Sequence, residues 1–311
     1  MNSIKCPLCS SIKNKLIDHI SDKDLNDQYV RMTGEDFSYL LNSNISLYQC
    51  ENCNLKFYNP LITGDEKFYN SLQKYEWYYV KNKYEYEFAS KYIKSGDIVL
   101  DVGCGNGEFA KYVIDKKGKF IGLDFSEKAV ELAKKKNIKI LNQSISDYSK
   151  KNPKTVDLVV SFQVLEHVSE IKNFIQYKLN SLVPGGLMII AVPSEDSFVS
   201  KTTNGILNMP PHHVSRWPDA VFDFISKEFN IELIDLIHEP LQNIHKRWFV
   251  ASKLQNLVLK PKLIDTSIKR KIIAIISIIF SWGLTKILSL NKINGHTVLA
   301  VYKKPNESIN S

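Results

Sequence analysis

Apolar and polar positions follow two alternating rhythms between residues 95 and 194. Short apolar runs at 98–102, 119–123, 138–141, 157–161 and 187–192 have the length and the Val, Ile and Leu content of strands buried on both faces. Between them, segments near 108–115, 126–136 and 171–182 repeat their apolar positions every three or four residues, as helices do. Strand and helix in alternation imply a parallel sheet covered on both sides, so the predicted fold class is α/β with a doubly wound sheet. Later apolar runs at 231–237 and 296–302 supply two further strands, for seven in all. There is no internal repeat.

The flanks read differently. The opening stretch is polar and Asp-rich with little apolar periodicity, and is expected to build little core of its own. Tyr69, Tyr75, Tyr78, Tyr79, Tyr84 and Tyr86 then crowd residues 68–88 on a helical pattern that runs to about Lys94. Aromatic residues so spaced usually pack between elements; the alternative is that Tyr78 or Tyr79 closes over a ligand as a lid. Toward the other end, about 252–292 reads as a hydrophobic helical insertion. Lys271 and Lys286 enclose only 14 residues, about 21 Å of helix against a hydrocarbon core of about 30 Å, so this helix is not expected to span a membrane. Ala274, Ser277, Ser281 and Thr285 form a narrow small-residue stripe opposite a broad apolar face. Two readings stand: peripheral contact of 269–290 with an anionic membrane, or a helix buried between the sixth and seventh strands or in a dimer contact, with the oligomeric state open.

The chain has 311 residues, 44% hydrophobic and 24% charged, with 13 Gly and 11 Pro. This composition excludes disordered and fibrous classes. The net charge of +8 is unevenly placed: residues 246–292 hold ten Lys or Arg against one acid, Asp265, which leaves −1 for the rest. A basic partner surface is therefore expected only there, and no nucleic-acid partner, because the charges are interleaved with Ile rather than with stacking aromatics. No apolar run follows a basic start at residues 1–11, so the expected location is cytoplasmic, or peripheral to the inner face of the membrane.

Candidate chemistry begins where the first strand of the alternating region meets Gly103, Gly105 and Gly107. Glycines there let the backbone turn sharply and approach a ligand. Asp124 ends the next strand 17 residues after Gly107, placed to accept the hydroxyls of a ribose. The GxGxG spacing lacks the register of pyrophosphate loops, and no Lys-Ser/Thr of a P-loop follows. Cys6/Cys9 and Cys50/Cys53 form two CxxC knuckles, a donor set suited to structural zinc with every position closed.

These motifs resemble the class I S-adenosylmethionine (SAM)-dependent methyltransferases. VLDVGCGNG at 99–107 looks like their first motif and GLDFS at 122–126 like their second; DLVVS at 157–161, VLEHV at 164–168 and LVPGGL at 182–187 are similar to the fourth strand, its following turn and the turn before the fifth strand. The resemblance implies a Rossmann-like, seven-stranded, mostly parallel sheet with its last strand antiparallel. It implies that Asp101, Gly103, Cys104 and Gly105 border the cofactor, that Asp124 holds its ribose and Phe125 packs on its adenine. Phe162 and Gln163 would lie under its methionine moiety. Where the family commonly has an acid facing the adenine, this chain has Ser144 beside Ile145 and Asp147. Some sugar methyltransferases carry an N-terminal zinc ribbon whose second knuckle reads like residues 48–53. Residues 1–70 are thus expected as a zinc-ribbon region and 71–311 as the methyltransferase domain.

A sulfonium methyl is already activated, so the enzyme needs positioning and, for a hydroxyl acceptor, a base. His212 and His213, behind Pro210 and Pro211, resemble the acceptor-side loop of the family. His167 is a third candidate, or it serves a hydrogen-bonding role in its turn. The expected function is methyl transfer from SAM to a small polar acceptor, a nucleotide-linked sugar or surface-glycan precursor by resemblance. The rivals are an RNA methyltransferase and a catalytically degenerate cofactor-binding scaffold.

Overall fold

The structure, a computed structural model, describes residues 3–75, 83–136, 138–290 and 292–306. The chain opens with β1 (Asn14–Ile20), α1 (Asp22–Thr33), β2 (Ile45–Cys50), β3 (Lys56–Asn59) and α2 (Glu66–Gln73). There follow α3 (Tyr84–Ala89), β4 (Ile98–Val102), α4 (Ala110–Asp115), β5 (Lys119–Leu123), α5 (Glu127–Lys135), β6 (Ile140–Leu141), α6 (Ile145–Lys151), β7 (Val156–Phe162), α7 (Ile171–Ser181) and β8 (Leu182–Pro193). Last come β9 (Ser215–Arg216), α8 (Ala220–Glu228), β10 (Glu232–Pro240), α9 (Lys246–Val258), α10 (Ile268–Ile287) and β11 (Asn294–Lys303). The chain folds into two compact units, each discontinuous in sequence rather than divided once near residue 70. The first takes Met1–Tyr79, Pro193–Asp219 and His238–Thr297; the second takes Val80–Val192, Ala220–Ile237 and Val298–Ser311. Tyr78 and Tyr79 lie outside the described residues.

The first unit holds a four-stranded sheet in the order β1-β2-β3-β9, antiparallel throughout. Helix α1 is specified at both ends. Ser21 accepts the Asp24 N–H as its N-cap, Asp22 and Asp24 face the positive end of the helix dipole, and Gly34 closes it in the left-handed conformation. Contrary to the expectation from its polarity, the N-terminal stretch builds a real core. Leu25 and Tyr29, one turn apart, meet Ile45 and Leu47 from β2 and Phe37 and Phe68, and Ile206 and Met209 complete the cluster. The Tyr29, Phe37 and Phe68 rings meet edge to face with centroids 5.1–6.1 Å apart, and the Tyr29 hydroxyl donates toward the Ile206 and Met209 carbonyls. The core escaped the periodicity reading because a few large rings, spread among polar residues, supply most of its volume.

The helical hairpin of α9 and α10 belongs to the same unit. It packs through Trp248, Phe249, Val250 and Leu284 around Phe198 and Leu290. Helix α10 is not the buried helix that one sequence reading allowed: its Ile-rich face is exposed. Among the described residues, no helix is long and apolar enough to cross a membrane.

The α/β sheet has the order β10-β11-β8-β7-β4-β5-β6. Strands β6, β5, β4, β7 and β8 are parallel, whereas β11 runs antiparallel to β8. Lys304 donates to the Gly186 carbonyl at one end and Ser194 to the His296 carbonyl at the other, so the numbers run in opposite directions. Seven strands, one reversed, match the expectation. Strand order reverses beside β4, with β5 and β6 to one side and β7 and β8 to the other, and open α/β sheets bind ligands at the carboxyl ends of strands at such a switch point. The predicted strand at 187–192 begins earlier, at Leu182, and α6 was not predicted at all.

Removing the Tyr29 hydroxyl deletes its bonds to two buried carbonyls, which keep the Met209, His212 and His213 N–H groups as partners, without changing ring packing. Tyr29→Phe should therefore cost about 1 kcal/mol, the net worth of a hydrogen bond, read as an earlier urea midpoint with unchanged circular dichroism.

Candidate active site

Strand β4 delivers Asp101 and Val102 into the glycine loop. Gly103 (φ 74°) and Gly105 (φ 50°) both occupy the left-handed region. At Gly103 a Cβ would also lie 2.6 Å from Val164 Cγ2, so the position is closed to side chains by contact as well as conformation. At Gly105 a Cβ would meet nothing within 4 Å, which leaves an open cradle over the loop. The Asp124 carboxylate anchors the arrangement: Gly105 N–H donates to Oδ2 (2.8 Å) and Ser126 N–H to Oδ1 (2.9 Å). A carboxylate oxygen accepts two bonds, so each retains capacity for one hydroxyl of a vicinal diol. Phe125, next in the chain, is 76% exposed, an unusual place for a phenyl ring unless a flat ligand covers it.

Asp101 is buried beneath the loop. Burial, with the nearby Asp124 charge, pushes its carboxyl up to about 7, while Lys178 and Lys83 pull the other way. Its Oδ1 is enclosed with no hydrogen-bond partner among the described residues. Lys178 is fully buried and donates to Ser161 Oγ (2.7 Å) and the Ile189 carbonyl (3.1 Å), stitching α7 to β7 and β8. Burial pushes its ammonium down to about 7, and the Asp101 charge opposes that. Lys178 was missed in the sequence, although it falls on the buried stripe of α7 with Ile171, Phe174 and Ile175.

The other candidates of this unit take varied places. Cys104 is buried, which pushes its thiol well up and away from nucleophilic use. Ser144 caps α6: its Oγ accepts the Asp147 N–H and donates to Asp147 Oδ2 (2.7 Å), while Ile145 is buried. Phe162 packs edge-on against Tyr86 and Phe109, with centroids 5.0 and 4.9 Å away. Gln163, at φ 58°, turns the chain out of β7 and donates toward Glu85 (3.4 Å). His167 ends a short 3-10 turn, its Nε2 3.9 Å from Glu166 Oε1.

In the first unit, His212 and His213 are buried and stacked, with ring centroids 4.5 Å apart. The two are held differently. His212 Nδ1 lies 2.7 Å from the Leu207 carbonyl, which can only accept, so Nδ1 carries the proton. His213 Nδ1 faces the Asn208 side chain. The buried Arg216 guanidinium can only donate, so the Asn208 oxygen accepts from Arg216 Nη2 (3.0 Å) and Nε (3.3 Å) while its amide nitrogen donates to His213 Nδ1 (3.1 Å). Neutral His213 therefore carries its proton on Nε2. Arg216 is fixed in turn by Glu195 (2.8 Å), which also pairs with Lys56 (2.8 Å). The sequence signalled none of this ion-pair group.

The four N-terminal thiols converge. Cys6 Sγ lies 3.5 Å from Cys53 Sγ, Cys9 Sγ lies 3.5 Å from Cys50 Sγ, and all four lie within 4.8 Å of one another. Zinc–sulfur bonds of about 2.3 Å in a tetrahedron give sulfur–sulfur edges of about 3.8 Å, so the cluster fits one zinc ion.

Residues 93–228 match a family described as a methyltransferase domain. The ubiquinone biosynthesis O-methyltransferase of Pelagibacter ubique is 29% identical over 167 residues, covering 50% of this chain and 69% of that protein. The enzyme of the same name from Vibrio atlanticus is 30% identical over 114 residues, 35% of this chain and 45% of its own. A solved SAM-dependent methyltransferase of Archaeoglobus fulgidus shares the fold at a TM-score of 0.51 and 19% identity, covering 77% of this chain and 100% of that one. The family match makes residues 93–228 a methyltransferase domain, and the named relatives, the glycine loop and the fold support SAM as its methyl donor. The site residues fit its cofactor: an open loop, a carboxylate with spare acceptor capacity, and an orphaned buried acid suited to a cationic group.

Glu166 offers a pH test. It is 1% exposed on its side chain, and burial, with Glu85, pushes its carboxyl up to about 8 against opposing pulls from a backbone bond and Lys83. Between its unfolded value near 4.5 and about 8 the folded state holds a proton that the unfolded state has released, so the unfolded state gains as pH rises. Thermal stability relative to Glu166→Gln should fall from pH 5 to pH 8 in calorimetric scans of both proteins.

Proposed function

We propose that this chain transfers the SAM methyl to a hydroxyl of a small polar acceptor, with a nucleotide-linked sugar or surface-glycan precursor as the acceptor class. When bound, SAM supplies the activated methyl. Asp124 holds the ribose hydroxyls, the Gly103–Gly105 backbone accommodates the amino-acid end, with Asp101 and Cys104 beside it, and Phe125 covers the adenine near Ser144 and Ile145. Phe162 and Gln163 border the methionine moiety. His212 removes the acceptor proton, and the observation that carries this is its tautomer: the Leu207 carbonyl holds the proton on Nδ1 and so puts the lone pair on Nε2. His213, protonated on Nε2 when neutral, serves as a donor to the acceptor. His167 belongs with the cofactor half. The O-methyltransferase names of the two relatives support an oxygen acceptor, and they favour a phenolic precursor as the second reading.

Calorimetry should find SAM binding by the wild type and a loss of at least tenfold in Asp124→Ala; equal binding by both would remove the reading. General-base catalysis contributes roughly 10²–10⁴ in rate. His212→Asn should accordingly lower turnover by about 10² or more with cofactor affinity unchanged, whereas His167→Asn should lower both. Demethylated cofactor, followed by mass spectrometry over a panel of nucleotide sugars and phenols, identifies the acceptor.

The same fit of donor set and spacing supports a structural zinc at Cys6, Cys9, Cys50 and Cys53. Protein purified under reducing conditions should carry about one zinc per chain, and the double variant Cys50→Ser, Cys53→Ser should carry none and lose thermal stability.

A further inference from the structure

Helix α10 is built inside out. A surface helix normally turns its apolar stripe to the protein and its polar face to water. Here the buried residues are Arg270, Ser277 and Ser281, with Leu284 the apolar side chain packed against the Phe198 cluster. Those turned outward include Ile272, Ile275, Ile279, Phe280, Trp282 and Ile287, between 53% and 82% exposed. Leu257 and Val258, at the end of α9, extend the same exposed apolar surface. Scattered apolar residues are ordinary on a surface, but a contiguous apolar face marks a site of interaction.

The charges around this face select its occupant. Asp265, the one acid in residues 246–292, is already paired with Arg270 Nε (3.2 Å), and Arg270 Nη2 donates to the Lys260 carbonyl. Lys260, Lys262, Lys269, Lys271 and Lys286 are all exposed. The exposed charges that residues 246–292 place around the apolar face are therefore cationic. A second copy docking on the same face would bring like charge against like, since a two-fold contact pairs a patch with itself. An anionic bilayer complements both features: the Ile side chains enter the boundary of headgroups and acyl chains, and the lysines reach back to lipid phosphates. The guanidinium of Arg247 lies 3.7 Å over the Trp282 ring, joining a cation to an indole of the kind that favours the membrane interface. At 20 residues, α10 is about 30 Å long and lies along such a surface without crossing it.

We propose that the α9–α10 hairpin is a docking element for anionic membrane surfaces. It is independent of the acceptor and of the methyl-transfer reading. The full chain should co-sediment with vesicles of phosphatidylcholine and phosphatidylglycerol, bind vesicles of phosphatidylcholine alone far less, and be released in part by salt. Ile275→Glu with Ile279→Glu should abolish sedimentation. Lys269→Gln with Lys271→Gln should weaken it about 30-fold, from about 1 kcal/mol for each basic residue near an anionic surface. Circular dichroism of both variants should match the wild type. The proposal is overturned if the wild type stays in the supernatant with anionic vesicles, if both variants sediment as the wild type does, or if the wild type is a homodimer that Ile275→Glu dissociates.

Discussion

One carboxylate carries the cofactor half of the protein. Gly103 and Gly105 give the loop after β4 its shape, but glycine has no side chain with which to hold it. Asp124, arriving at the end of the neighbouring strand, supplies the side-chain hold on Gly105 N–H, next to the Leu123 carbonyl that takes the Gly103 and Cys104 N–H groups. The anchor is electrostatically costly: its charge helps push the buried Asp101 toward the neutral form, with Lys178 as the counterweight. The site is thus a balance of buried charges over a bare backbone, which a cationic ligand is suited to relieve.

The parallel strands are legible because each is a continuous apolar run fed by a turn, and their order alone places Gly103 and Asp124 side by side. What failed to show was whatever depends on partners remote in sequence. Helix α6 is the exception, for its cap Ser144 and the partner Asp147 lie only three residues apart. The N-terminal core hides because Tyr29 and Phe68 await Ile206 and Met209.

His212 and His213 show a different limit, at atomic scale. In the sequence they are equivalent neighbours. A carbonyl five residues before one, and an amide oriented by Arg216 beside the other, give them opposite proton positions. The small-residue stripe of α10 was visible in the sequence too, but a helix and its inverted counterpart share one periodicity. Only burial shows which face is turned to water.

The interleaving of the two units has a consequence for synthesis. When the first 79 residues have been made, the rings of Tyr29, Phe37 and Phe68 still lack the cover that Ile206 and Met209 provide. At about 5–20 residues per second, that cover follows on the order of ten seconds later. The large sheet closes later still, because β11 lies between β8 and β10 and is made after both. Neither unit can finish while its own early segments wait, so a ribosome carries this chain with two incomplete cores until β11 has been made.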